Sequence, residues 1–194
     1  MALWGIGATA AVLLVCSGLD LSLGLPTALT GVLTSALVLL RDRKSPREVI
    51  KGISWSVIPL VAGLFVLVEA LGKTGVIAAI TTILQESAAR SVNGTAWGSG
   101  LIVALAANLM NNLPVGLMAG SVVQAGHVPE MVKSAVLIGV DLGPNLSITG
   151  SLATILWLVA LRREGINVSA WAFLKIGVVV MTVALVGALG ALWF

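Results

Sequence analysis

Charge is scarce in this chain. Of its 194 residues only 10% are Asp, Glu, Lys or Arg, while 58% are hydrophobic and the mean hydropathy is +1.09. Soluble domains are about one-quarter charged, so there is too little charge to cover a water-facing surface, and a lipid bilayer is the solvent that fits. Cysteine is nearly missing as well. A single Cys16 excludes an intrachain disulfide and any multi-thiolate metal centre within the chain, and its setting among Ala, Val and Leu predicts an inert, buried thiol. No Walker loop, no spaced His/Cys cluster and no nucleophile motif occurs. ATP hydrolysis, metalloenzyme chemistry and a bound cofactor are therefore unsupported, and the expectation is a protein that is not an enzyme. Nor is there a nucleic-acid footprint. The basic excess is only +3, and five of the eleven basic residues fall in one short stretch (Arg41, Arg43, Lys44, Arg47, Lys51). Such clustering reads as a topology signal at a membrane surface.

What is present is a series of apolar runs. About 20 apolar residues cross a hydrocarbon core. Residues 1–19 and 21–40 each lack a formal charge and are separated by Asp20 and a turn-prone stretch ending in Pro26. The start of the chain has no basic region and no small-residue cleavage site, so it reads as a span rather than a signal peptide. Residues 41–52 form a basic loop, cytoplasmic by the positive-inside rule. Residues 52–71 make a third span, with Pro59 inside it. Residues 75–90 are shorter, end in a polar patch, and read as interfacial. Residues 97–125 read as a re-entrant hairpin: two arms of about eleven residues, roughly 16 Å of helix each, flank a polar break at 108–114. Residues 131–161 form a broken helix with its interruption at 141–150, and 176–194 a last span. The expected fold is an all-α integral membrane protein, one transmembrane domain over 1–194, with about five spanning helices plus the hairpin and the broken helix. The six tryptophans lie mostly near span ends, as an aromatic belt would place them.

The two breaks carry the candidate chemistry. Irregular backbone at membrane depth persists only where protein or a solute-filled cavity satisfies it, and paired discontinuous helices point to a transporter's substrate site. In the first break Asn108, Asn111 and Asn112 follow an i, i+3, i+4 spacing, which a continuing helix would place on one face, and Pro114 ends the hydrogen-bond ladder. Their amides suit a neutral polyhydroxyl solute or a stripped cation. The competing reading is that they cap the two arms. In the second break Asp141 is an acid within a membrane segment, a functional candidate by default. It could carry a coupling proton, coordinate a cation, or only cap the turn at Gly143 and Pro144. Asn145, Ser147, Thr149 and Ser151 add an amide and hydroxyls, although such hydroxyls often bond their own backbone. Glu69 and Lys73, four residues apart, read as a local ion pair.

At these positions the sequence resembles the arsenical pump membrane protein family of the ion transporter superfamily. The resemblance rests on Asn-Leu-Met-Asn-Asn-Leu-Pro at 108–114 and, more specifically, on Gly-Val-Asp-Leu-Gly-Pro-Asn-Leu-Ser-Ile-Thr-Gly-Ser-Leu-Ala-Thr-Ile-Leu-Trp at 139–157. It covers the whole chain but only the second half of the family's usual length. It implies efflux of arsenite and antimonite across a bacterial inner membrane, driven by the proton gradient or by an associated arsenite-stimulated ATPase. It also implies one repeat of an inverted-repeat transporter, in which each repeat supplies a hairpin tip and a broken helix to a shared site. Carried over, Asn111, Asn112 and Pro114 would form a tip, and Asp141, Gly143, Pro144 and residues 147–151 a broken helix. The other half would come from a separate polypeptide or a second copy. A sodium/proton or anion carrier of the same superfamily and a non-transporting membrane fragment are the competing expectations.

Overall fold

The computed structural model describes residues 2–42, 45–53, 55 and 57–193, which hold ten α-helices and one 3-10 turn. No strand occurs among them. The helices are α1 (Ala2–Gly18), α2 (Gly24–Asp42), α3 (Pro46–Gly52), α4 (Val57–Lys73), α5 (Val76–Arg90), α6 (Val92–Met110), α7 (Asn112–Gly126), α8 (Glu130–Leu142), α9 (Leu152–Arg163) and α10 (Ala170–Ala191), with the 3-10 turn Gly143–Leu146 between α8 and α9. The chain divides into two compact units, Met1–Val57 and Ile58–Phe194.

In the first unit, α1 and α2 approach closely where Gly5 meets Thr34; a Cβ at position 5 would collide with that threonine. The basic segment expected at 41–52 contains a short helix. Arg41 still belongs to α2, and Pro46–Gly52 is helical; Arg43 and Lys44 lie outside the described residues. The reason is local: Ser45 accepts the Arg47 N–H and Pro46 occupies the first helical position, where its missing N–H costs nothing.

In the second unit, α6, α8 and α10 form the core. Its buried residues are Ala96 and Ala104 of α6, Val128, Val132 and Ala135 before and within α8, and Met181, Leu185 and Leu189 of α10. Small residues allow this approach. Gly100 stands so close to α8 and α10 that a Cβ there would lie 3.0 Å from the Ala135 carbonyl and 2.8 Å from a Leu189 methyl. Gly139 faces the Gly100 carbonyl and Gly143 the backbone of Ala104 in the same way. Four-residue spacing of small side chains (Ala135, Gly139, Gly143) is the usual route to tight helix contact in lipid.

Pro59 lies in the first turn of α4, not its interior, where no intrahelical N–H is needed. Helices α4 and α5 meet at a 70° bend, with Gly75 at a positive φ of 83°. Among the described residues, α2 over Gly24–Arg41 and α10 are long and apolar enough to cross a membrane, and α4 with α5 would make a third if the bend lay within one span. Large apolar side chains cover the surface, Leu109 being 86% exposed. In water such coverage would be an aggregation liability; in lipid it is the ordinary state.

Candidate functional site

The first break is far shorter than 108–114. Helix α6 continues through Asn108 to Met110, α7 begins at Asn112, and only Asn111 is non-helical. The arms are consequently 19 and 15 residues, about 28 and 22 Å, not eleven residues each. Asn108 does not interrupt the helix because its side chain bonds the carbonyl four residues back, Nδ2 donating to Ala104 O at 2.9 Å. Pro114 falls in the first turn of α7, where its ring is tolerated. With the chain reversing at Asn111, the three asparagines do not share one helix face.

Asn108 is 9% exposed and anchors the two breaks to each other. Its Nδ2 also donates to Gly143 O at 2.5 Å, across 35 residues of sequence. Two carbonyl acceptors fix the amide orientation and leave Oδ1 buried without a partner. An unpaired buried acceptor of this kind costs about 1–3 kcal/mol. The Asn108 carbonyl accepts from Ser147 Oγ at 3.3 Å and Thr149 Oγ1 at 3.4 Å, and the two hydroxyls are 3.4 Å apart. These bonds are long against the O–H···O mode of about 2.7–2.8 Å, so the hydroxyls are loosely held.

Asn111 adopts φ 75° and ψ 147°, a conformation L residues rarely take and one that costs about 1–3 kcal/mol. Its side chain works on both sides of the tip. Oδ1 accepts from Leu113 N at 3.2 Å, capping α7, and Nδ2 donates to Thr149 O at 3.0 Å. Asn112 contributes its backbone N–H to Gly150 O at 2.8 Å. The hairpin tip is therefore stitched to the second break by three donors from α6, Asn111 and α7.

In the second break Gly143, Pro144 and Gly150 are buried. Gly150 lies directly on Pro144, where a Cβ would come 2.8 Å from the proline Cα. Gly177 of α10 packs under the same turn, a Cβ there falling 2.6 Å from Asn145 O. Asn145 Nδ2 donates to Leu142 O at 2.9 Å, closing the end of α8, and Ser151 Oγ accepts from Ala153 N at 3.2 Å, capping α9. These two residues perform capping, whereas Ser147 and Thr149 bond across to the hairpin. Asp141 occupies the last turn of α8 with an exposed side chain. No group of acidic, His and Cys side chains suited to a metal ion occurs among the described residues.

Several participants carry no side-chain signal. The carbonyls of Gly143, Thr149 and Gly150 become site atoms only through tertiary contact, and the four-residue glycine spacing was the available hint. Elsewhere Glu69 and Lys73 pair at 3.6 Å and Glu130 and Lys133 at 3.0 Å, both on the surface. A separate groove of about 630 Å³ runs between α5, α6 and α7 and reaches the tip only at Met110 and Val115.

A sequence profile of the family described as "Arsenical pump membrane protein" matches residues 12–194. Over 178 residues the chain is 25% identical to the arsenical pump membrane protein of Escherichia coli, an alignment covering 88% of this chain and 42% of that protein. It is 27% identical over 149 residues to the protein of that name from Yersinia enterocolitica, covering 75% and 35%. It is also 27% identical over 173 residues to an "uncharacterized transporter" of Mycobacterium tuberculosis (strain ATCC 25618 / H37Rv), covering 86% and 40%. The chain thus spans about two-fifths of the length of the curated relatives it matches. No solved structure matches it.

Proposed function

The chain belongs to the arsenical pump membrane protein family, and from that premise we propose that it is one repeat of an efflux permease for arsenite and antimonite, completed by a second half from another polypeptide or a second copy. As a member it is a multi-pass membrane protein of transporter kind. In our reading α1, α2, α4, the broken pair α8–α9 and α10 span a bacterial inner membrane. Helix α5 lies at the interface and α6–α7 re-enter as a hairpin. The basic segment and Arg162–Arg163 face the cytoplasm.

One observation carries the proposal: two helix breaks bonded to each other through uncharged amides, hydroxyls and carbonyls, at Asn108, Asn111, Asn112, Ser147 and Thr149. Arsenic(III) trihydroxide is uncharged near neutral pH and both donates and accepts hydrogen bonds. Such a solute exchanges its water for amides and hydroxyls without a charged clamp, and the long Ser147 and Thr149 bonds are the ones it would replace. Gly143, Pro144 and Gly150 shape the turn, Pro114 starts the second arm, and Asn145 and Ser151 hold the helix ends at its margin. Asp141, exposed one turn before Pro144, carries the coupling proton in this scheme; an associated arsenite-stimulated ATPase is the other source of drive.

A sodium/proton or anion carrier is the second reading. It is favoured by the Mycobacterium relative, which covers a similar share of the chain at similar identity and is named only a transporter, and by the same uncharged oxygens, which would also suit a dehydrated cation. The test is metalloid uptake into inverted vesicles from cells co-expressing the chain with the first half of a family permease. We expect uptake that depends on the chain and collapses with the pH gradient. Sodium-dependent uptake of another solute, with no arsenite signal, would overturn the arsenite assignment in favour of the second reading.

A further inference from the structure

We propose that the groove between α5, α6 and α7 holds one acyl chain of an anionic phospholipid, with its headgroup on Arg90. The groove follows one face of α6 from Ser91 to Met110, about 28 Å of helix. Its polarity is one-ended. Arg90 is the one charged residue lining it, beside Ser87 and Ser91 where α5 passes into α6, and beyond Thr95 and Ser99 the walls are apolar through Ile102 to Met110. No carboxylate is within ion-pair distance of Arg90 among the described residues, although Glu86 is one turn away.

Charge and length point to the occupant. A groove of about 630 Å³ that runs along about 28 Å of helix, apolar over most of its length and cationic at one end, suits a long apolar chain with one negative end, which is the form of a phospholipid chain with an anionic head. Its inner end meets Met110 and Val115, the residues flanking the hairpin tip, so an occupant would brace α6 against α7. This inference is independent of what the protein transports.

The test uses the full chain, delipidated in non-ionic detergent and titrated with phosphatidylglycerol or with phosphatidylcholine of identical chains, read by native mass spectrometry and thermal unfolding. We expect at least tenfold tighter retention of phosphatidylglycerol and a higher Tm with it. Arg90→Gln should reduce phosphatidylglycerol to the phosphatidylcholine level. Gly98→Leu should weaken both lipids at least tenfold with helix content unchanged, because a side chain built at 98 meets nothing within 4 Å and fills the groove. Equal retention of the two lipids by the native chain, or unaltered phosphatidylglycerol binding in both variants, would overturn the proposal.

Discussion

Between α6 and α7 the chain leaves the helix for one residue, Asn111. Between α8 and α9 it needs a 3-10 turn and then residues 147–151. The short break is made by side-chain chemistry, since a strained asparagine caps one helix and reaches the other break with the same amide. The long break is made by backbone shape: Gly143 and Gly150 let the chain fold onto Ala104 and Pro144, presenting carbonyls outward. The short break donates amides to the carbonyls of the long one, and the long break returns two hydroxyls to the Asn108 carbonyl. Neither break satisfies its polar groups alone, so a change of position at one must be answered at the other.

Substitutions at four positions would break or sharpen this contrast, in decreasing order of effect. Gly143→Val places a side chain into the Ala104 backbone, which cannot yield; we expect a loss of more than about 3 kcal/mol, seen as failure to recover folded protein from detergent. A Tm within a few degrees of the native chain would show that the second break is not set by close approach.

Asp141→Asn tests function rather than fold. In the assembled permease we expect at least a tenfold loss of gradient-driven metalloid uptake, about 1.4 kcal/mol or more, with membrane insertion unchanged. Normal pH-dependent uptake would remove Asp141 from coupling.

Asn108→Leu removes the donor to Gly143 O together with the unpaired Oδ1, so the loss and the relief partly cancel. We expect about 1–2 kcal/mol of destabilisation in thermal unfolding; no change would mean that the breaks hold together without it.

The smallest effect distinguishes side-chain from backbone roles at the tip. Asn111→Gly relieves a positive φ while losing two hydrogen bonds, and should alter stability by less than about 1 kcal/mol. Asn111→Ala keeps the strain and loses the bonds, so it should be less stable than the glycine variant by about 1 kcal/mol. Equal Tm values for the two would show that the conformation at 111 is not strained.

Much of this is legible in the sequence. The helical class, the membrane solvent and the existence of interruptions near 108–114 and 141–150 follow from composition and from Asn, Pro and Gly placement. The helix ends were less legible. Asn108 reads as part of a break because asparagine is a poor helix former, yet its amide finds the Ala104 carbonyl and the helix runs on. The segment 41–52 reads as a loop by charge, while Ser45 and Pro46 start a helix inside it. Ser147, Thr149, Asn145 and Ser151 look alike in sequence, and only the packing separates the pair bonding across to the hairpin from the pair closing their own helix ends.

By itself, then, the sequence determined the solvent and the local points of interruption, because transfer of apolar side chains and the conformational limits of Asn, Gly and Pro act over a few residues. Tertiary structure alone decided which amide meets which carbonyl. Those pairs lie 35 to 38 residues apart and form only once Gly100, Gly139 and Gly143 have brought two backbones into contact.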